Sequence, residues 1–270
     1  MSTVDDGRMP LAEHLRELRN RLAKGLLAVT VGIVAAFFFW EPIKDLLTAP
    51  YCDAVGDASC DLYAFGPLEQ FGIRLKVSSI AGVLLSSPVW LYQIGAFITP
   101  ALHRKEKRYA GAFMLASLVF FLAGNAVAYL TLSKGLQFLL TVGGEGIVTL
   151  TSIKSYLNFV SLTLIAFGVA FLFPVVIVFL NLVGVLKAVQ LRAWRRAMVV
   201  AIAVAAAVLT PSTDPYSFLA MALPLYLLYE VCIVLARLHD RAVARRRAAE
   251  PDAQLDDDTP SYVDTTPSAL

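Results

Sequence analysis

The chain has 270 residues, of which 58% are hydrophobic and 16% are charged, with a formal net charge of +2 and a mean hydropathy of +0.67. Soluble domains are ordinarily about a quarter charged. The composition therefore excludes an ordinary soluble domain and indicates an integral membrane protein.

Six long runs with almost no charge follow one another along the chain. They cover residues 25–40, 77–98, 109–133, 155–186, 197–213 and 215–236. The first five contain no Asp, Glu, Lys or Arg, and the sixth contains only Glu230. Runs of this length without charge are typical of helices that lie in hydrocarbon. The sequence predicts an all-α, polytopic bundle of six transmembrane helices.

The segment before the first run predicts an amphipathic helix, and we treat residues 1–23 as a cytoplasmic N-terminal segment. Its leucines recur at spacings of four, three and four, from Leu11 to Leu22. Glu17 and Arg21 are four residues apart, and on spacing alone an ordinary ion pair along the helix is the favoured interpretation of Glu17. Spacing alone likewise favours a solvated charge for Glu106, which lies in a basic cluster.

The connection after the first run, residues 42–75, holds Cys52 and Cys60. On the outer side of the membrane these two cysteines would meet an oxidising compartment, so we predict a Cys52–Cys60 disulfide. The alternative is two free thiols.

Two irregularities mark the later runs. Pro88, Pro174 and Pro224 fall inside runs and predict local kinks. The fifth run, between Arg196 and Pro211, is only roughly 21 Å long as a helix, which is less than a hydrocarbon core of ~30 Å. Two interpretations remain: a tilted helix with a miscounted end, or a short helix that thins the bilayer.

The basic residues sort by connection. All but five of the 23 Lys and Arg residues lie in the N-terminal segment, the 99–108 and 187–196 connections and the C-terminal flank. Because basic connections stay cytoplasmic, both termini are predicted to be inside.

The uncharged runs contain few residues that could take part in catalysis or ion transport. Of the Asp, Glu, Lys and Arg residues, only Glu230 lies within a run. Ion pathways and catalytic sites inside a membrane need such residues. Their scarcity argues against the alternative function, a small-molecule secondary transporter, and against an intramembrane enzyme. The three histidines have no ligand spacing, and no phosphate-binding loop or catalytic arrangement appears. We therefore expect no metal and no cofactor.

Ordered motifs across residues 9–237 carry a resemblance to the TatC family, the polytopic subunit of the twin-arginine protein translocase. The motifs are MPLAEHLRELRNRL at 9–22, TAP at 48–50, GPLEQF at 66–71, SPVWLYQ at 87–93 with Phe97, PAL at 100–102, Glu106 with Arg108, LTP at 209–211, Asp214 and PLYLLYE at 224–230. The chain also resembles an actinobacterial member of the family.

The resemblance implies a receptor for folded cargo with a twin-arginine signal peptide, driven by the proton-motive force. Glu17 and Glu106 would receive the arginine pair, and Gln93 and Phe97 would complete the site. The surrounding Arg19, Arg104 and Arg108 would orient the glutamates, contact cargo carbonyl groups or bind anionic lipid. Implied partners are TatA-type and TatB-type single-span proteins, lipids and further copies of the chain, with no nucleic acid.

The resemblance also assigns docking and structural residues. The fifth and sixth spans, both expected to be short, would dock the partner helices. The docking residues would be Met198, Leu209, Thr210, Pro211 and Asp214, and the structural ones Pro50, Pro88, Pro174, Pro224, Cys52 and Cys60.

The family commonly has a glutamate in the fourth span where this chain has Leu172. Residues 24–237 would form the membrane domain and 238–270 a disordered acidic cytoplasmic tail.

Overall fold

The computed structural model describes residues 11–56, 60–98, 107–142, 151–210 and 214–248, and these ranges contain nine helices. In chain order they are α1 (Leu11–Phe38), α2 (Trp40–Val55), α3 (Pro67–Leu85), α4 (Ser87–Ile98), α5 (Lys107–Val142), α6 (Ile153–Leu182), α7 (Ala188–Ala193), α8 (Arg195–Leu209) and α9 (Pro215–Ala248). The predicted all-α membrane bundle is confirmed.

The helices follow the apolar runs closely. In the described ranges, α1, α5, α6 and α9 are each long and apolar enough to cross a membrane, and α3 and α4 together form a fifth candidate span, bent by 53°. Helix α8 has 15 residues, or ~22 Å, so it is as short as the sequence predicts. The count of six spans, with α8 as one of them, stays a prediction.

The last helix corrects two expectations. Helix α9 has 34 residues, so the expectation of a short sixth span is wrong. It also continues to Ala248, so residues 238–248 are helical and do not belong to a disordered tail. The reason is that its Ala- and Arg-rich end favours helix and that Pro224 does not interrupt it. The rest of the predicted tail lies outside the described residues.

Helix α1 runs without interruption from Leu11 to Phe38. The predicted boundary between a surface segment and the membrane domain, at residues 23 and 24, falls inside this helix. Its middle packs tightly on α3, because a Cβ placed on Gly32 would lie 2.7 Å from the carbonyl oxygen of Gly82. The absence of side chains at both glycines lets the two backbones approach closely.

Most of helix α2 lies in the predicted outer connection, for which no helix at this position was predicted. Pro50 is buried inside it. The Tyr156 hydroxyl donates a hydrogen bond to the Leu47 carbonyl oxygen at 2.7 Å, which fastens α2 to the start of α6. A Cys52–Cys60 disulfide connects the end of α2 to the segment that precedes α3, with Cα atoms 4.9 Å apart.

The prolines differ in their effect on the helices. The break between α3 and α4 falls at Ser86, two residues before Pro88, and the Trp90 indole N–H donates to the Val83 carbonyl oxygen across the break at 3.0 Å. Pro174 and Pro224 lie within helices that continue past them. The bend therefore sets the direction of α4.

Helix α6 is the centre of the bundle. Leu157, Val160 and Phe167 are fully buried on it. A Cβ on Gly124 of α5 would lie 2.7 Å from the Phe167 carbonyl oxygen, which shows how closely α5 approaches α6. Leu172 is half-buried on the same helix.

Candidate functional site

Glu17 lies on α1 and is held by Arg21, one turn further along the helix. The Arg21 Nε and Nη2 atoms donate hydrogen bonds of 2.9 Å and 2.5 Å to the Glu17 Oε1 atom. The Glu17 side chain is 22% exposed and that of Arg21 is 26% exposed. The Glu17 Oε2 atom is buried and has no hydrogen-bond partner among the described residues. The ion pair that spacing favoured is therefore present, and it uses one carboxylate oxygen only.

A groove of about 200 Å³ lies between α1 and α4, beside this pair. Arg21 forms part of its lining together with Gln93 and Phe97 of α4. The rest of the lining is mostly apolar: Leu18, Leu22, Leu26, Val29, Trp90 and Ile94, with Gly25. The structure thus brings the predicted residues Gln93 and Phe97 next to the guanidinium that holds Glu17.

The groove depends on how α4 leaves α3. The 53° bend between them turns α4 toward the N-terminal half of α1. Gly25 lets Trp90 come close, because a Cβ on Gly25 would lie 3.6 Å from the Trp90 Cβ atom, an ordinary contact distance. The sequence motifs around Trp90 and Gln93 indicated a functional segment, but their pairing with α1 required the bend.

Of the other residues predicted for the signal-peptide site, only some are among the described residues. Arg19 is exposed on α1. Arg108 falls in the first turn of α5, and its side chain is not described. Glu106 lies outside the described residues, as do Arg104 and Pro211. The arrangement of a second carboxylate relative to Glu17 therefore remains a prediction.

Two of the predicted docking residues are buried within the chain. The Asp214 side chain is 1% exposed, and its Oδ1 atom accepts a hydrogen bond from the Ser217 backbone N–H at 2.6 Å. With Pro215 as the first residue of α9, this is the geometry of an N-terminal helix cap. The buried Thr210 hydroxyl donates to the Ala206 carbonyl oxygen at 2.7 Å. Both side chains shape the turn between α8 and α9.

The outward face of α8 is apolar, which the sequence reasoning did not single out. Val200, Val204 and Val208 are 62%, 57% and 77% exposed and recur every four residues. Met198 and Leu209 are half-buried. The signal for this face was the i, i+4 spacing of valines among alanines in the fifth run.

Glu230 of α9 is paired with Arg195, at the start of the neighbouring helix α8. The Arg195 Nε atom donates to the Glu230 Oε1 atom at 2.5 Å, and its Nη2 atom lies 3.3 Å from the Tyr226 hydroxyl. The sequence does not predict this pair, because Arg195 and Glu230 are 35 residues apart in the chain. Glu230 therefore has a structural partner and is not a lone acid inside the bundle. In the described part of the chain no three His, Cys, Asp or Glu side chains are grouped to hold a metal ion.

Comparisons with known proteins agree with the resemblance. The family model described as "TatC: Sec-independent protein translocase protein (TatC)" matches residues 13–224. The TatC protein of the actinobacterium Frankia casuarinae is 49% identical, over 97% of this chain and 75% of its own length. That of Aquifex aeolicus is 36% identical, over 86% of this chain and 97% of its own length.

The fold agrees as well. The crystal structure of the twin arginine translocase receptor TatC superposes with a TM-score of 0.70, at 36% identity, and covers 84% of this chain and 100% of that one. The chain therefore belongs to the TatC family of Sec-independent protein translocase proteins, and it is a multi-pass protein of the cytoplasmic membrane and not an enzyme.

Proposed function

We propose that this chain is the receptor that captures twin-arginine signal peptides at the cytoplasmic surface and hands folded cargo to the translocase. The observation that carries the proposal is the state of Glu17. Its carboxylate already accepts one guanidinium, from Arg21, and its second oxygen is buried without a hydrogen-bond partner among the described residues. An unpaired buried carboxylate oxygen favours a cationic ligand.

Arginine suits this carboxylate better than lysine. A guanidinium is a planar fork that can donate two parallel hydrogen bonds to a carboxylate, whereas an ammonium acts as a point charge. The Arg21–Glu17 pair is an i, i+4 pair on a helix, and such pairs contribute only about 0.3–0.5 kcal/mol. A signal-peptide arginine can therefore bind the free oxygen or displace Arg21 at little cost.

The second arginine of the signal requires a second acceptor, and Glu106 is the residue that we assign to it. Arg19 and Arg108 would then act around the two carboxylates. The apolar part of the signal peptide would follow the groove between α1 and α4, past Gln93 and Phe97. This groove begins at Arg21 and continues along mostly apolar side chains, in the order that a charged motif followed by an apolar segment requires.

The partners would be TatA-type and TatB-type single-span helices and further copies of the chain, with transport driven by the proton-motive force. The exposed valines of α8 support a docking face for such a helix, because they offer a regular apolar surface next to a small-residue helix. Thr210 and Asp214 would support this face by holding the turn between α8 and α9, and Pro211 would act at the same turn. We propose no nucleic-acid partner.

The test is site-specific photocrosslinking to a synthetic signal peptide. A photoreactive residue at position 97 should capture an Arg-Arg peptide strongly and a Lys-Lys peptide weakly. Glu17→Ala should abolish capture of the Arg-Arg peptide, whereas Glu41→Ala, which removes an exposed acid at the start of α2, should leave it unchanged. Equal capture of both peptides, or normal export of twin-arginine cargo by a Glu17→Ala/Glu106→Ala double variant, would defeat the proposal.

A further inference from the structure

Helices α3 and α6 start side by side at the predicted outer surface. The segments before them form a parallel bridge, in which the Tyr63 N–H donates to the Thr151 carbonyl oxygen and the Ile153 N–H donates to the Tyr63 carbonyl oxygen, both at 3.1 Å. From this bridge the two helices run inward together. Side chains that recur every three or four residues therefore face each other along a shared groove.

Two adjoining cavities make up this groove. The outer cavity, of about 510 Å³, is lined by Lys76, Lys154 and Glu69 together with apolar side chains such as Ile73 and Leu157. The deeper cavity, of about 290 Å³, is lined by Lys76 and by residues that include Ile80, Val83, Ile165 and Val169. Lys76 borders both cavities, so the two adjoin at this side chain.

The charges lie at one end only. Lys76 is half-buried and Lys154 is exposed, and neither has an ion-pair partner among the described residues. The one carboxylate in the lining, Glu69, accepts hydrogen bonds from the Phe65 N–H at 2.6 Å and from the Ser152 hydroxyl at 3.2 Å. Two ammonium groups are therefore available at the mouth, above a deeper lining that carries no charge besides Lys76.

We propose that this groove binds one anionic phospholipid from the outer surface of the membrane. Its phosphate lies between Lys76 and Lys154, and one acyl chain extends inward beside Ile80, Ile165 and Val169. Lys76 and Lys154 carry two positive charges and Glu69 carries one negative charge, so the lining of the outer cavity keeps a net positive charge that a phosphate can balance. Basic pockets between transmembrane helices bind anionic lipid head groups at the cytoplasmic side of membranes, and the same charge pairing applies at the outer side.

The lining of the deeper cavity suits an acyl chain. Lys76 is its only charged residue, and most of the other lining side chains are apolar. The edge-to-face pair of Trp90 and Phe121 belongs to this lining.

The experiment measures lipid retention by native mass spectrometry of the purified, delipidated full chain in detergent. Phosphatidylglycerol and phosphatidylcholine with identical acyl chains are added in turn, and we expect adducts with phosphatidylglycerol to be the stronger. Lys76→Gln/Lys154→Gln should weaken phosphatidylglycerol binding about tenfold, the effect of losing charged hydrogen bonds. Lys44→Gln/Lys134→Gln removes the same charge outside the groove and should change binding less than about twofold.

A second pair of variants tests the acyl chain. Ile165→Trp fills the groove and should weaken phosphatidylglycerol binding, whereas Leu162→Trp should not, because Leu162 does not line the groove. The two side chains are matched, at 52% and 53% exposed on the same helix. Inorganic phosphate in excess should fail to displace the lipid, since it lacks the chain.

Four results would overturn the proposal. They are equal binding of the two lipids, equal losses in the test and control variants, displacement of the lipid by inorganic phosphate, and exclusive capture of a signal peptide or partner helix by a photoreactive residue at position 165. Each of them is independent of whether Glu17 receives a signal-peptide arginine.

Discussion

Arg21 holds Glu17 through a single carboxylate oxygen, with both donors of the guanidinium fork on Oε1 and none on Oε2. A more usual fork would use both oxygens of the acid. The Glu17 Oε2 atom therefore remains available as an acceptor, close to the mostly apolar groove between α1 and α4. This arrangement also makes Arg21 a weak competitor for any arginine that arrives from a ligand.

The first prediction concerns this competition. Arg21→Gln removes the internal guanidinium, so we expect an Arg-Arg signal peptide to bind about twofold more tightly, since an i, i+4 pair contributes about 0.3–0.5 kcal/mol. Fluorescence anisotropy with a labelled peptide measures the change. Arg16→Gln, at an exposed position on the same helix, is the control and should have no effect. Weaker binding to Arg21→Gln would show instead that Arg21 orients Glu17 for the ligand.

The second prediction concerns the close approach of α1 and α3. Gly82→Ala should lower the free energy of unfolding by about 1–3 kcal/mol, the usual cost of overpacking, because the new Cβ would lie 2.5 Å from the Ile33 backbone nitrogen. Gly72→Ala is the matched control on α3: its Cβ meets no described atom within 4 Å, and a helix gains up to about 1 kcal/mol from alanine. Thermal unfolding in detergent compares the two, and similar midpoints would contradict the packing.

The third prediction concerns the disulfide. The chain has three cysteines, of which Cys232 is free and buried. Alkylation of the denatured protein should therefore modify one thiol without reductant and three after reduction. Loss of the bond in Cys52→Ser/Cys60→Ser should cost about 2–3 kcal/mol of stability in the chain-entropy model. Modification of all three thiols without reductant would exclude the disulfide, and Cys232→Ser serves as the control for thiol count.

The fourth prediction separates capping from docking at Asp214. Asp214→Ala should destabilise the protein by about 1 kcal/mol, because the Ser217 N–H loses its acceptor. Asp214→Asn can still cap the helix, since asparagine and aspartate are about equally good at this position, and should retain both stability and export. Loss of export by a stable Asp214→Asn protein would instead indicate that the charge contacts a partner.

The fifth prediction concerns the outward face of α8. A cysteine at Val204 should form disulfide cross-links with a cysteine scan of a TatA-type or TatB-type helix, because this side chain is 57% exposed. A cysteine at Ala206, which is fully buried, should form none. Cross-links at both positions, or at neither, would remove the support for docking at this face.

Local features of the sequence predicted much of this molecule. The uncharged runs located every candidate span, and the short fifth run became the 15-residue helix α8. The four-residue spacing of Glu17 and Arg21 predicted their ion pair. These features succeed because the lipid environment and the helical repeat act on residues that are near each other in the chain.

Helix α2 shows where such reasoning failed. Its 16 residues are too mixed in polarity to indicate a span, and a proline lies within them. The helix is held by distant contacts: the Tyr156 hydroxyl donates to the Leu47 carbonyl oxygen, and the Arg74 guanidinium of α3 lies 5.3 Å from the centre of the Trp40 ring at the start of α2. Such contacts are made between residues far apart in sequence and leave no periodic pattern.

The sequence by itself determined that the chain is an integral membrane protein and roughly which segments cross the membrane. It also determined that Glu17 lies on an amphipathic helix, one turn from Arg21. Only the tertiary structure decided that α4 bends back onto α1 to place Gln93 and Phe97 beside that pair, and that Asp214 is turned inward as a helix cap. Hydrophobicity acts on each segment separately, whereas the direction of a bend and the burial of a carboxylate depend on which helices pack together.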